Sequence, residues 1–315
     1  MPRYQPPSAI VSPRFIGVPT FARLPLIRTL EDVDVAFIGV PFDTGVALRT
    51  GGRFAPNAIR AASVMLRQYN PRLQVKPFDV LSCVDYGDLD IVPGYIIPSY
   101  EVIQREVAKV VDGGVIPILL GGDHSCTLPH LRAMRSHGPV AVIDFDAHTD
   151  AWDSFFGERY NAGTWMRRAI EEGLVDTAHS IEVGLRGQLF GPEDWTSLTD
   201  ELGLAYITTA EIFEQGVPAV TKTIMERVGG RPAFVSFDID VIDPSYAPGT
   251  GTLEAGGLTS YQAINILSQM RGLDVVGADM IEVIPAYDPA EVTANLAANL
   301  MYEVLSLIAV KRGHA

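Results

Sequence analysis

Seven short runs of nearly unbroken apolar residues limit how this chain can fold. They are VDVAFIGVP (33–41), VIPILLGG (115–122), VAVIDFD (140–146), AHSIEVGLR (178–186), LAYITT (204–209), PAFVSFDID (232–240) and LDVVGADMIEV (273–283). A strand with one wet face alternates apolar and polar residues; these do not, so both faces must be covered. Between them lie stretches with apolar residues at three- and four-residue spacing, at 99–114, 163–173, 218–230 and 259–272. A further long helix is predicted over 290–310. Thr259 or Ser260 suits a helix cap and Gly272 a helix stop. Strands alternating with helices predict an α/β fold, a three-layer α-β-α sandwich around one mainly parallel sheet. No low-complexity linker divides the chain, so residues 1–315 read as one domain with an N-terminal extension of about 30 residues.

The balance of charge narrows the partners. A net charge of −14 argues against non-specific binding to nucleic acid or to an anionic membrane, and it suits a small cationic ligand. Two cysteines make no disulfide framework, the first 30 residues contain no continuous apolar core, and no uncharged apolar run reaches 18 residues. These features predict a cytoplasmic protein without a membrane span. No Gly-x-Gly-x-x-Gly or Walker sequence follows a strand.

In parallel sheets chemistry gathers at the C-terminal ends of strands. Three runs end in metal-ligand side chains: Asp123 and His124; Asp144, Asp146, His148 and Asp150; and Asp238, Asp240 and Asp243. Asp146, His148 and Asp150 are two residues apart, as are Asp238 and Asp240, which in extended chain puts each set on one side. Asp144 shares the parity but lies deeper in its strand and ranks below the others. Crowded carboxylates repel and must take up protons or bind cations. Two divalent ions answer the problem, and the mixed nitrogen and oxygen donors suit Mn, Fe, Co, Ni or Zn better than Ca or Mg alone. Spacing alone leaves a magnesium phosphatase or a histone-type deacetylase open.

The motifs GGDHS (121–125), DAHTD (146–150) and SFDIDVIDPSYAPGTGT (236–252) resemble those of the arginase/agmatinase family of ureohydrolases. GGLT (256–259), GADMIEVIPAYDP (277–289) and PRFIGVPTFARLP (13–25) extend the likeness over nearly the whole chain, closest to the agmatinase and guanidinobutyrase branch. The resemblance implies an arginase-like fold and a first metal held by His124, Asp146, Asp150 and Asp238. It implies a second metal held by Asp146, His148, Asp238 and Asp240, with manganese or nickel as the ions. Glu282 would receive the guanidinium group and Asp150 would aim the attacking water. Asp243 would act behind the ligands. The implied reaction is hydrolysis of a guanidine C–N bond, giving urea or a substituted urea plus an amine. The resemblance also implies a trimer or hexamer, or a mixed complex with a related subunit.

One family residue is missing. The branch carries His-Gly-Thr where this chain has Ala162-Gly163-Thr164. Alanine neither contacts a polar substrate nor moves a proton; Asn161 beside it can donate a hydrogen bond but is a poor acid or base. The vacated space, with Trp152, Phe155, Phe156, Tyr160 and Trp165 as an apolar wall, makes an N-alkylated guanidine or a metformin-like biguanide the first expectation. The alternatives are agmatine or 4-guanidinobutyrate, with Asn161, Tyr160 or a water chain taking over as the catalytic replacement for the histidine, or a weakly active partner subunit. Arg49 and Arg53 read as structural ion-pair or subunit-contact residues, and Cys126 as a small buried side chain at a helix start.

Overall fold

A computed structural model describes residues 2–313 of the chain. Eight strands form one sheet: β1 (Val35–Gly39), β2 (Cys83–Asp88), β3 (Ile116–Leu120), β4 (Ala141–Phe145), β5 (Ile181–Leu185), β6 (Ala205–Thr208), β7 (Pro232–Asp238) and β8 (Asp274–Ile281). Their order is β2-β1-β3-β8-β7-β4-β5-β6, and every strand pair is parallel. The helices are α1 (Ala55–Ser63), α2 (Pro77–Val80), α3 (Ile96–Asp112), α4 (Thr127–Ala133), α5 (Trp165–Glu171), α6 (Glu193–Asp200), α7 (Thr209–Gln215), α8 (Val217–Val228), α9 (Ser260–Gln269) and α10 (Val292–Gly313).

The pleat sorts each strand between two cores. Val35, Phe37, Ile118, Leu120, Ile143, Phe145, Val235 and Phe237 pack with α1, α2 and α7 to α10. Ala36, Ile38, Leu119, Val142 and Phe234 point the other way, onto α3 to α6. The three-layer sandwich is therefore dictated by strands with no polar face to spare. Among the described residues, α10 is the one helix long and apolar enough to cross a membrane by composition, and 83% of its apolar window is buried within the protein.

Strand β2 was not among the predicted runs. It carries Asp85 and Asp88, which break its apolar run. Arg60 of α1 supplies the missing reason. Its Nε and Nη2 donate to the two oxygens of Asp85 at 2.8 and 2.9 Å, and its Nη1 donates to Asp88. The N-terminal extension covers the outer edge of β2: Cys83 N–H donates to the Tyr4 carbonyl and Asp85 N–H to that of Pro25, both at 3.0 Å. An otherwise open sheet edge is thereby paired.

Replacing Arg60 with methionine leaves the Asp85 carboxylate buried without its cation. We expect a loss of about 3 kcal/mol in unfolding free energy by urea titration, the range for breaking one half of a buried pair. An unchanged midpoint would show that the pair contributes nothing net.

Candidate metal centre

Strands β3, β8, β7 and β4 are consecutive in the middle of the sheet, and the residues just beyond their C-terminal ends meet at one cleft. After β3 the chain turns through Gly121 and Gly122, with φ of 84° and 92°. A Cβ on Gly122 would lie 2.7 Å from Cys126 Sγ and 3.1 Å from the Val40 carbonyl oxygen, so only glycine passes there. Asp123 then caps the helical turn 124–126, accepting from Ser125 N–H at 3.0 Å and from Gly45 N–H at 2.7 Å. Its oxygens are occupied with holding loops, and His124 alone of that pair joins the ligand cluster.

His124 Nδ1 lies 3.0 Å from Asp150 Oδ2, 3.1 Å from Asp146 Oδ2 and 3.2 Å from Asp238 Oδ2. His148 Nδ1 lies 3.1 Å from Asp240 Oδ2 and 3.4 Å from Asp146 Oδ1. Asp146 thus turns one oxygen to each histidine. His124 Nδ1 and Asp146 Oδ2 are buried, and neither has a hydrogen-bond partner. Donor atoms at about 2.1 Å from a common ion and at right angles to one another lie about 3 Å apart, which is this spacing. The residues therefore fit the pair of ions on geometry as well as on chemistry.

Electrostatics says the same. Burial lowers the pKa of both imidazoles, and the aspartates around them more than reverse it, leaving both well above the ordinary value. Burial, then Asp240 and Asp146, raises Asp238 well above the usual carboxylate range. Burial and Asp146 push Asp150 up to about 6. The cluster cannot be fully ionised without added positive charge.

Asp144 stands behind this arrangement. Its Oδ1 is 3.6 Å from the other ring nitrogen, His124 Nε2, so it faces the back of the imidazole. It sits opposite Glu182 across the β4–β5 register, and both carboxyl groups are buried without a hydrogen-bond partner. Asp243 accepts backbone N–H groups from Ser245, Gly256 and Gly257 and so ties a turn.

Glu282 follows β8 with a left-handed backbone, φ 62°, and Asp150 has φ 43°. Both are unusual for residues with a Cβ and mark positions imposed by the site. Glu282 Oε1 accepts the His124 N–H at 2.8 Å, and a Cβ on Gly251 would come within 3.1 Å of Oε2. Gly251 thus keeps the second oxygen clear.

The cleft, about 210 Å³, is lined by His148, Asp150, Asp238, Glu282, Ala162 and an aromatic wall. Of the five aromatics expected there, Trp152 and Phe155 line it, stacked with centroids 5.0 Å apart. Phe156 is exposed, Tyr160 packs edge-on against Tyr100, and Trp165 is buried beside His124. Phe190 joins the wall instead, from a loop whose sequence has no strand or motif to flag it; Asp194 holds it in place by accepting from Phe190 N–H and Trp152 Nε1.

Two expectations are corrected. Asn161 donates both hydrogens of its amide to the carbonyls of Phe155 and Glu158, at 3.0 and 3.2 Å, and is not a lining residue. It fixes the loop; it does not replace the missing histidine. Arg53 pairs with Asp43 as expected, but Arg49 lines the cleft, stacked 4.6 Å over the Tyr287 ring, and makes no ion pair among the described residues. A second cleft-lining arginine, Arg186, is tied to the carbonyls of Asp240, Val241 and Glu254.

Comparison with known proteins agrees with this geometry. The arginase family model matches residues 33–306. A guanidinobutyrase of Pseudomonas aeruginosa is 42% identical over 309 residues, 97% of each chain. The mitochondrial agmatinase of Gallus gallus is 41% identical over 304 residues, 96% of this chain and 89% of that one. The solved structure of proclavaminate amidino hydrolase from Streptomyces clavuligerus superposes with a TM-score of 0.89 at 38% identity, covering 95% of this chain and 100% of its own.

Because Asp146 serves both clusters and Asp240 only one, their substitutions should differ. Asp146→Asn is expected to abolish retention of both ions after dialysis, while Asp240→Asn leaves close to one ion per chain by elemental analysis. Equal loss in the two variants would contradict a shared carboxylate.

Proposed function

The chain belongs to the arginase family, and from that premise we propose that it hydrolyses an ω-guanidino acid of the 4-guanidinobutyrate class to urea and an amine. Arg49 carries this reading. It is a cleft-lining cation without a carboxylate partner among the described residues, in a cleft that also holds Glu282. A carboxylate tail would satisfy Arg49 by a charge-assisted hydrogen bond, while the guanidinium end meets Glu282. Two relatives named for guanidinobutyrate and agmatine support a guanidinium substituted only by its charged tail over the N,N-dialkylated or biguanide substrate that Ala162 first suggests. Between those two tails, the ammonium of agmatine would be repelled by Arg49.

His124, Asp146, Asp150 and Asp238 would hold one ion, and Asp146, His148, Asp238 and Asp240 the other, with manganese or nickel suited to these donors. When bound, such ions lower the pKa of water and polarise the group under attack. The residues supply the rest. Glu282, anchored through Oε1, leaves Oε2 to accept guanidinium N–H and fixes the carbon beside the ligand cluster. Burial, then Asp123, raises its pKa well above the ordinary value. A cationic substrate offsets that burial and favours the carboxylate. Asp150 points Oδ2 at His124, which leaves Oδ1 to take a proton from the attacking water and return it to the departing nitrogen. The C–O bond forms, the C–N bond to the tail breaks, and the nitrogen leaves as an amine. Trp152, Phe155 and Phe190 exclude competing water along the methylene chain.

Rates on 4-guanidinobutyrate, agmatine and N,N-dimethylguanidine test the proposal directly. We expect the highest kcat/KM on 4-guanidinobutyrate. Arg49→Leu should raise KM for it by roughly 10- to 100-fold with kcat little changed, the loss of one charged hydrogen bond. Preference for agmatine, unaltered by Arg49→Leu, would overturn the carboxylate-tail reading. Turnover confined to alkylated guanidines would restore the substrate suggested by Ala162.

A further inference from the structure

Behind the ligand cluster a row of buried polar side chains crosses the sheet. Ser236 of β7 pairs in register with Asp279 of β8 on one side and Asp144 of β4 on the other, and all three are wholly buried. Ser236 Oγ donates to Asp279 Oδ1 at 2.8 Å and lies 2.9 Å from His124 Nε2. Asp279 Oδ2 accepts from the Thr127 hydroxyl at 3.0 Å and faces His130 Nδ1 at 3.4 Å.

The directions of these bonds are not free. A carboxylate only accepts, so the single hydroxyl proton of Ser236 goes to Asp279. The serine oxygen can then only accept from His124, and Nε2 must carry the ring proton. Asp144 Oδ1, at 3.6 Å from the same nitrogen, is beyond hydrogen-bond distance and leaves Ser236 as its partner. A neutral imidazole protonated on Nε2 presents its lone pair at Nδ1, the atom that faces Asp146, Asp150 and Asp238.

We propose that Asp279 is the positioning residue of the metal centre: acting through Ser236, it selects the His124 tautomer that offers Nδ1 to the ion. It touches no ligand atom of the cluster. Its influence comes from setting the polarity of a two-bond chain, as outer partners of metal-binding histidines do. This inference rests on the metal-pair reading of the site and is independent of which guanidino compound is turned over.

Asparagine at 279 tests the polarity. Thr127 and His130 donate to Oδ2, so the amide oxygen of Asp279→Asn settles there and its NH2 faces Ser236. Ser236 then accepts from the amide and donates to His124 Nε2, forcing the ring proton onto Nδ1, where it blocks the ion. Ser236→Ala removes the preference without reversing it, and Ser236→Thr keeps the hydroxyl. Metal-free protein is titrated with manganese by calorimetry, and the tautomer is read from nitrogen-15 histidine spectra of the metal-free chain at a pH where the ring is neutral. We expect affinity at the His124 site to fall about 100-fold in Asp279→Asn and about 10-fold in Ser236→Ala, and to be near native in Ser236→Thr. A purely structural role predicts the opposite order, because Ser236→Ala opens a void and strands a buried carboxylate. Native affinity in Asp279→Asn, or a wild-type spectrum with the His124 proton on Nδ1, overturns the proposal. Should Asp279→Asn fail to fold, the wild-type spectrum and the Ala/Thr contrast at 236 decide it: Nε2 protonation with Thr rescue supports it, and either one failing refutes it. Failure of the wild type itself to bind two ions would instead refute the metal-pair reading.

Discussion

Repulsion between buried carboxylates is the constraint on which the rest of this molecule turns. Asp146, Asp150, Asp238 and Asp240 are nearly inaccessible to solvent and converge on two imidazoles. Four negative charges in so small a volume would oppose folding by many kilocalories per mole if left uncompensated. Two divalent ions carry the matching positive charge. Glu282 then adds one further negative charge beside the ligand cluster, to which a guanidinium is drawn.

The sheet makes that crowding possible. The side chains of the site arise from residues as far apart as His124 and Glu282, yet β3, β8, β7 and β4 bring them to adjacent strand ends. The same alternation that sorts apolar side chains between two cores lines up Asp279, Ser236, Asp144 and Glu182 in a polar row on one face. That row approaches His124 from behind while the ligands approach from the front. Packing and metal chemistry are thus two readings of a single period of two.

This shared period explains what the sequence reveals and what it hides. Asp146, His148 and Asp150, and Asp238 with Asp240, stand out because acids break apolar runs at regular spacing. Seven of the eight strands are legible for the same reason. Strand β2 is not, because its acids answer to Arg60, a residue distant in sequence. Phe190 escapes notice and Arg49 is misread because loops place them, and loop geometry has no periodicity to read; Asp194 lies in the first turn of α6, where nothing in the sequence ties it to Trp152. Asn161 misleads because adjacency to Ala162 in sequence says nothing about where its amide points. Ser236 and Asp279 could have been found: each is a lone polar residue inside an apolar strand, and Ser236 is two before Asp238.

The left-handed backbone at Asp150 and Glu282 has a further consequence. A residue bearing a Cβ pays about 1 kcal/mol or more to sit there, whereas glycine does so freely. A search for hardier variants by heat challenge would therefore be drawn toward glycine at both places, and each gain would delete a carboxylate from the cleft. Selection for robustness and selection for turnover pull apart at these two positions, and the strained acids record which of the two has prevailed.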